Sequence, residues 1–297
     1  MPNQRHYPRL NEVEQNIFKN IPHLLESYHY INKQKYVDAI RDQNAKVFLD
    51  SGAFSAHSLG VAIDIDAYCD YIHRNIDILR VAADGSVMAS VLDGIGSDLI
   101  TYQNQMYMES KGIRPLPCFH YSEDPRYLQL YVANYTYITI GGLVRKAKND
   151  QREWLDEIWN KYLLDGSGRP KVMVHGFGLT SPELMKRYPW ASCDSSSWVQ
   201  AASFGSIFTS EYGPICVSSE SPSAQVIGRH FSTLTPIEQE ALQNMLQYKG
   251  FNYERLSKEY VSRAAYCCMG YCELNNLVNE YIAKHGFKLL QNEMRLF

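Results

Sequence analysis

The sequence predicts an α/β protein: a (β/α)8 barrel of the TIM type, not necessarily regular, with a helical C-terminal extension. Short apolar runs rich in β-formers end on small or acidic residues, and each is followed by an amphipathic stretch of helical period, six or seven times in succession. Strands alternating with helices build parallel β/α units. No Gly-x-Gly-x-x-Gly follows the first strand, which counts against a doubly wound dinucleotide fold. From about Thr235 onward the pattern is mostly helical, with no clear linker before it. One domain over 1–297 is therefore expected, with a barrel core at about 40–234 and a helical part at about 235–297.

The units follow in order. Residues 46–50 (KVFLD) precede a helical stretch at 64–75, and 87–93 (VMASVLD) precede 97–111, where Ser97-Asp98 is a good helix start. Residues 114–120 (RPLPCFH) lead to 124–134, and 137–143 (YITIGGL) to 150–164. Residues 171–175 (KVMVH) lead to a short helix at 182–187, where Thr180-Ser-Pro-Glu183 reads as a capping box with proline in the first turn. Residues 191–194 precede 196–204, and 206–217 supply a further strand. At the N-terminus, 11–30 reads as a helix that covers the base or edge of the barrel.

Composition narrows the class. The chain has 297 residues, 45% hydrophobic and 21% charged, ordinary values for a globular protein. No apolar run approaches the roughly 18 residues of a membrane span, and the polar N-terminus lacks the apolar core of a signal peptide. A cytosolic protein without a membrane partner is expected. Seven cysteines without regular spacing do not form a disulfide framework. A net charge of −3 neither announces nor excludes a nucleic-acid partner, because phosphate contacts need only a local basic patch.

Barrel chemistry sits where strands finish. Those ends are Asp50, Asp93, His120, Gly141-Gly142, His175-Gly176 and Asp194. An aspartate after a strand is often only a turn residue or helix cap. Three carboxylates and two histidines on one rim are more than capping requires, and point to an enzyme that uses carboxylates.

Four motifs carry a resemblance to a known family. DSGAF (50–54) resembles the DSGGFQ of the queuine and archaeosine tRNA-guanine transglycosylases, and IGGL (140–143) matches that family's own IGGL. HGFG (175–178) falls where the family has a Met-Gly-x-Gly turn, and CDSSSW (193–198) resembles the segment that carries its nucleophile. Order and spacing agree over about 46–198. The phage-borne relatives that insert 7-deazaguanines into DNA are more similar still: there HGFG, an LMxRYPW stretch (184–190 here) and an Asp-Ser-x-Ser-Trp box run together as in this chain.

The resemblance implies base exchange at C1′ with retained configuration, which calls for a nucleophile and an acid/base. By similarity Asp194 is the nucleophile and Asp50 moves the proton. Asp93 would accept hydrogen bonds from the guanine edge, and Gly141-Gly142, with Leu143, would bring backbone donors to O6. Phe54 and His175 would sandwich the ring, while Ser51 and Gly52 leave room for it. His120 stands near a base-contacting glutamine of the family. The implied partners are guanine-containing DNA and a 7-deazaguanine base such as preQ0 or a derivative; no cofactor is implied. Members often pair, which leaves a homodimer open, although no interface signature is visible. If phage-borne, the protein would work in the host cytoplasm. A tRNA enzyme of reduced size, or a silent nucleic-acid-binding paralogue, are the alternatives.

The basic residues Arg145, Lys146 and Lys148 follow the GGL turn, and Lys186-Arg187 could extend the same strip. Such runs are usually solvated loops, but at the rim of a site that holds a sugar-phosphate backbone they are also expected to anchor it. Serines 195–197 read as helix-starting residues, Trp198 as packing, and His57 and His73 as fillers. The family's zinc motif is not matched by Cys267, Cys268 and Cys272 with His285, so these are read as buried thiols and no metal is expected.

Overall fold

The computed structural model describes residues 9–82, 84–144, 146–221 and 226–291. They fall into two compact units, one from His23–Asp194 and Gly286–Phe297, the other from Met1–Pro22 and Ser195–His285.

In the first unit the strands are β1 (Leu25–Ser27), β2 (Phe48–Asp50), β3 (Cys118–His120), β4 (Tyr137–Gly141), β5 (Met173–Gly176) and β6 (Ser192–Cys193). β1 pairs with β2, and β3 through β6 form a second run in chain order; every pairing is parallel. Residues 88–91 join the two runs. Leu49 bridges Ala89 and Ser90 bridges Leu116, with Leu49 N donating to Met88 O and Leu116 N to Ala89 O, both at 2.8 Å. The strand expected at 87–93 is thus present only as single bridges.

The sheet is strongly curled. Phe48 on β2 and His175 on β5 are four inter-strand steps apart, which in a flat sheet would be about 19 Å. Their ring centroids are 4.6 Å apart. Side-chain alternation explains what fills the concave side. Phe48, Leu116 and Tyr137 meet there with Leu25, Met88 and Phe177, while the intervening Val47, Leu49, Ala89 and Val91 pack against Tyr68, Cys69 and Ile72 on the helix Ile65–Arg74. On the other half Phe119, Ile138, Ile140 and Val174 face outward, among Leu128, Leu155 and Trp159. β4 is buried along its whole length, as a parallel strand covered on both faces should be.

Among the described residues the ladders do not close into a complete barrel. No ladder joins β6 to β1, and the strand expected at 206–217 is instead an antiparallel hairpin of β7 (Ser206–Thr209) and β8 (Gly213–Cys216) in the second unit. Gly213, with φ of +74°, makes the reversal possible in that stretch.

The helices form where alternation and caps direct them. Asp64, Ser97 and Asp124 each accept a backbone N–H at the start of Ile65–Arg74, Asp98–Ser110 and Pro125–Asn134. The expected capping box before Pro182–Arg187 is not made, since Ser181 has the cap position but no side-chain bond; proline at the helix start fixes that turn. The helix expected across 11–30 is also corrected. It ends at Lys19, and Leu25–Ser27 is a strand that pairs with β2 before a single turn at Tyr28–Ile31.

The second unit is the β7–β8 hairpin with helices Glu12–Lys19, Pro236–Tyr248 and Tyr260–His285 packed into one core around Phe18, Ile207, Leu246, Ala265 and Tyr266. The long helix lies so close to β7 that a Cβ on Gly270 would stand 2.2 Å from Phe208 O. Glu14, fully buried, is held by two 2.8 Å bonds from Arg255. No helix among the described residues is long and apolar enough to cross a membrane.

Candidate active site

The same alternation that points Phe48 into the concave face sends Asp50 there, two residues on. Cys118 and His120, Thr139 and Gly141, His175, and Ser192 with Asp194 share that parity on their own strands. A carboxyl-end rim built from consecutive parallel strands therefore collects Asp50, His120, Gly141, His175 and Asp194 without any need for a long loop, while Asp93, of the opposite parity, joins from beyond the bridges of residues 88–91.

Asp50 lies at the end of β2. Its Oδ2 accepts the Gly52 N–H at 3.0 Å, and Ser90 Oγ stands 3.5 Å from Oδ1. Burial, followed by the charges of Asp93 and Asp194, raises its pKa from 3.8 to about 7. Two like charges disfavour a third, so at neutral pH Asp50 carries its proton much of the time. The backbone around it is fixed. Ser51 is fully buried and donates its N–H to Ser90 Oγ at 2.9 Å. Gly52 has φ of +77°, and a Cβ there would lie 2.4 Å from Ser27 Oγ and 2.6 Å from His29 Cβ. Only glycine fits that turn.

Asp194 follows β6. Its Oδ1 accepts the Gly178 N–H at 3.1 Å and lies 3.4 Å from His175 Nε2. His175 is 2% exposed, with Phe48 and Phe177 edge-on to its ring at 4.6 Å each. Its Nδ1 is 2.6 Å from Ser192 Oγ, which in turn is 2.6 Å from the Tyr137 hydroxyl. The expected ring sandwich is therefore not built: His175 has no open face on which a base could stack, and its Nε2 stands beside Asp194 without making a hydrogen bond. Phe54 is 55% exposed at the start of the short helix Ala53–Ser58.

Asp93 and His120 meet on the other side. His120 Nε2 is 3.4 Å from Asp93 Oδ2 and 3.3 Å from Cys118 Sγ, and Nδ1 is 2.9 Å from Glu123 Oε1. Burial opposes a charge on His120, yet Cys118 and Asp93 together hold its pKa well above the ordinary histidine value. The Cys118 thiol is itself pushed up to about 11 by burial, so at neutral pH it is uncharged and the Asp93 carboxylate is the charge that favours a protonated His120. Asp93 Oδ1 is buried with no hydrogen-bond partner.

Gly141 ends β4 beside His120. Gly142, with φ of +76°, makes the turn that breaks the alternation; a Cβ there would be 2.9 Å from Tyr121 N. Leu143 consequently turns outward, 2% exposed in the core, where the side chain cannot contact a base at the rim.

The proposed cationic strip is only partly assembled. Arg145 lies outside the described residues. Lys146 Nζ sits 4.6 Å over the Tyr121 ring, and Lys148 begins the helix Lys148–Ile158. Arg187 is taken by Asp156 through two 2.7 Å bonds, so it holds two helices together and is not available to phosphate. Lys186, beside it, is exposed only in part and the helix it sits on is Pro182–Arg187.

Ser195 Oγ accepts the Ser197 N–H at 2.9 Å as the helix Ser197–Ser203 begins, and Trp198 packs on Phe18 with centroids 6.3 Å apart. His57 is exposed, and His73 Nε2 is 3.0 Å from Lys111 O. Cys267 and Cys268 are buried and Cys272 half-buried on the long helix. Sequence reasoning missed Ser90, Cys118, Glu123, Tyr137 and Ser192. Two of these had a readable signal: Cys118 is two residues before His120 on one strand, and Glu123 three residues after it.

No protein-family model matches this chain, and no curated protein matches it either.

Proposed function

We infer that the protein is a DNA-guanine transglycosylase, which replaces guanine in DNA by a 7-deazaguanine such as preQ0 or a derivative. The observation that carries this reading is the pairing of two unlike carboxylates on one rim, Asp194 anchored as an acceptor by Gly178 and Asp50 poised to hold a proton near pH 7. Retaining chemistry at an anomeric carbon needs such a pair, one nucleophile and one acid/base. The curled parallel sheet is read as an irregular (β/α) barrel, the scaffold on which the resembled family places its motifs.

The steps balance. Asp194 Oδ2, the oxygen not held by Gly178, attacks C1′ as the C1′–N9 bond breaks. Guanine leaves with the proton of Asp50, which then takes the N9 proton of the incoming deazaguanine. N9 attacks C1′, and the glycosyl–aspartate ester breaks to return Asp194. Asp93 Oδ1, buried and unpartnered, is the acceptor for the guanine N1–H and amine. Gly141 and Gly142 let the base approach the backbone, and Phe54, 55% exposed, supplies an open aromatic face. The nucleotide must leave the stack to reach this rim, which costs a few kcal/mol and favours a fitted pocket.

The test is incubation of the protein with labelled guanine and either duplex DNA or tRNA. Label entering DNA supports the reading; label entering tRNA alone replaces it with the tRNA enzyme. No label in either, with no trapped adduct, removes it.

A further inference from the structure

One cluster on the rim brings three different donor types to a point. Cys118 and His120 sit two residues apart on β3, so both side chains leave the same face. Asp93 joins them from the segment that pairs ahead of β3. Cys118 Sγ is 3.3 Å from His120 Nε2, and that nitrogen is 3.4 Å from Asp93 Oδ2. The three donor atoms all lie within 4.8 Å of one another, and no other such trio of His, Cys, Asp or Glu occurs among the described residues. A tetrahedral ion bound at about 2.3 Å to sulfur and about 2.0–2.1 Å to nitrogen and oxygen holds those atoms about 3.3–3.6 Å apart. Two edges of the cluster have that length before any ion is considered.

Two independent features fit a ligand at this point. The first lies behind the histidine: Glu123 Oε1 is 2.9 Å from Nδ1, and its Oε2 accepts the His120 N–H at 2.7 Å. A carboxylate on the far nitrogen fixes the ring and leaves Nε2 as the donor to a metal. The second is the space. Gly141 faces the cluster, where a Cβ would stand 3.1 Å from His120 Cδ2 and 3.6 Å from Cys118 Sγ. Any larger residue on β4 would crowd the imidazole.

We propose that Asp93, Cys118 and His120 form a binding site for a divalent cation of the zinc class, with Glu123 orienting the histidine and a fourth position left for water or substrate. Thiolate and imidazole donors select zinc over magnesium or calcium, which prefer all-oxygen sites. Binding releases the Cys118 thiol proton and the His120 Nε2 proton to solvent. Asp93 coordinates through Oδ2, the oxygen 3.4 Å from His120 Nε2, and Oδ1 stays outside the coordination sphere. The inference does not depend on base exchange, and it differs from the sequence-based expectation of no metal, which weighed Cys267, Cys268 and Cys272 with His285, and His57 and His73.

The full chain, stripped with a chelator and dialysed against zinc or cobalt(II), tests it by elemental analysis and absorption spectroscopy. Wild type and the control Cys268→Ser are expected to hold roughly one ion per chain, with a thiolate-to-cobalt band and tetrahedral visible bands. Cys118→Ser should lose the thiolate band, and His120→Ala should lose the ion. Glu123→Gln, outside the coordination sphere, should keep the band and weaken affinity about 10- to 100-fold. Circular dichroism establishes that each variant is folded. Wild type that takes up no more ion than His120→Ala overturns the proposal, as does a thiolate band that survives Cys118→Ser and disappears in Cys268→Ser. Should Cys118→Ser fail to fold, unchanged affinity in both His120→Ala and Glu123→Gln overturns it equally. Base-exchange activity bears on none of these readings.

Discussion

His175 Nε2 stands 3.4 Å from Asp194 Oδ1, from a ring otherwise enclosed by Phe48 and Phe177. Its other nitrogen is tied through Ser192 to the Tyr137 hydroxyl. A buried polar chain from Tyr137 through Ser192 thus fixes the His175 ring beside the nucleophile proposed for base exchange, with Nε2 itself left without a hydrogen bond.

Removing the nucleophile should stop the chemistry and spare the fold. Asp194→Ala is expected to lower kcat at least about 1000-fold and to leave no covalent DNA adduct. Denaturing gels of trapped reactions, with a thermal melt as control, check both parts.

The polar chain makes a finer prediction. Ser192→Ala leaves His175 without its Nδ1 partner, so the ring beside Asp194 is no longer fixed in one orientation. We expect kcat to fall about 10-fold with KM little changed, because the loss acts on positioning and not on base contacts. A rise in KM at constant kcat would show that Ser192 serves binding instead.

Asp50 gives a pH dependence whose sign is fixed. Its folded pKa of about 7 lies above the ordinary 3.8, so between these values the folded chain keeps a proton that the unfolded chain has lost. Stability from this group is present below about pH 4 and is lost as the pH rises through about 7. Asp50→Asn carries no charge, and its melting temperature should exceed that of wild type by more at pH 8 than at pH 5. In the proposed base exchange the same ionisation would remove the proton donor, so kcat/KM should decline above about pH 7.

Gly52→Ala combines a left-handed backbone with contacts of 2.4 Å and 2.6 Å to Ser27 and His29. We expect a loss of about 2–4 kcal/mol. Urea denaturation measures it. Gly60, with φ of +68° and nothing within 4 Å of a Cβ, is the matched control, in which Ala should cost only the backbone strain.

The order of strands and helices was legible because parity and caps are local: KVFLD, YITIG and KVMVH carry their own periodicity, and Asp64, Ser97 and Asp124 sit where a helix must start. The strand-end residues Asp50, Asp93, His120, Gly141, His175 and Asp194 were legible for the same reason. β1 was not, because Leu25–Ser27 has one apolar residue and becomes a strand only by pairing with β2. The hairpin at 206–217 reads as one strand in the sequence because its turn, Ser210-Glu211-Tyr212, is only three residues between two short apolar runs. Partners across strands were likewise hidden. Nothing in the spacing of Arg187 and Asp156 announces their ion pair, nor in that of Ser192 and His175 their hydrogen bond; both follow from tertiary placement.

The parallel run joins each strand to the one made just before it, from β1 to β6. A ribosome therefore delivers this sheet in the order in which it pairs, and no strand has to wait for a distant partner. Asp50 and Asp93 emerge early, but Asp194 comes with the last strand of the series. A nascent chain can thus have most of this sheet in place before the residue proposed as nucleophile has been made.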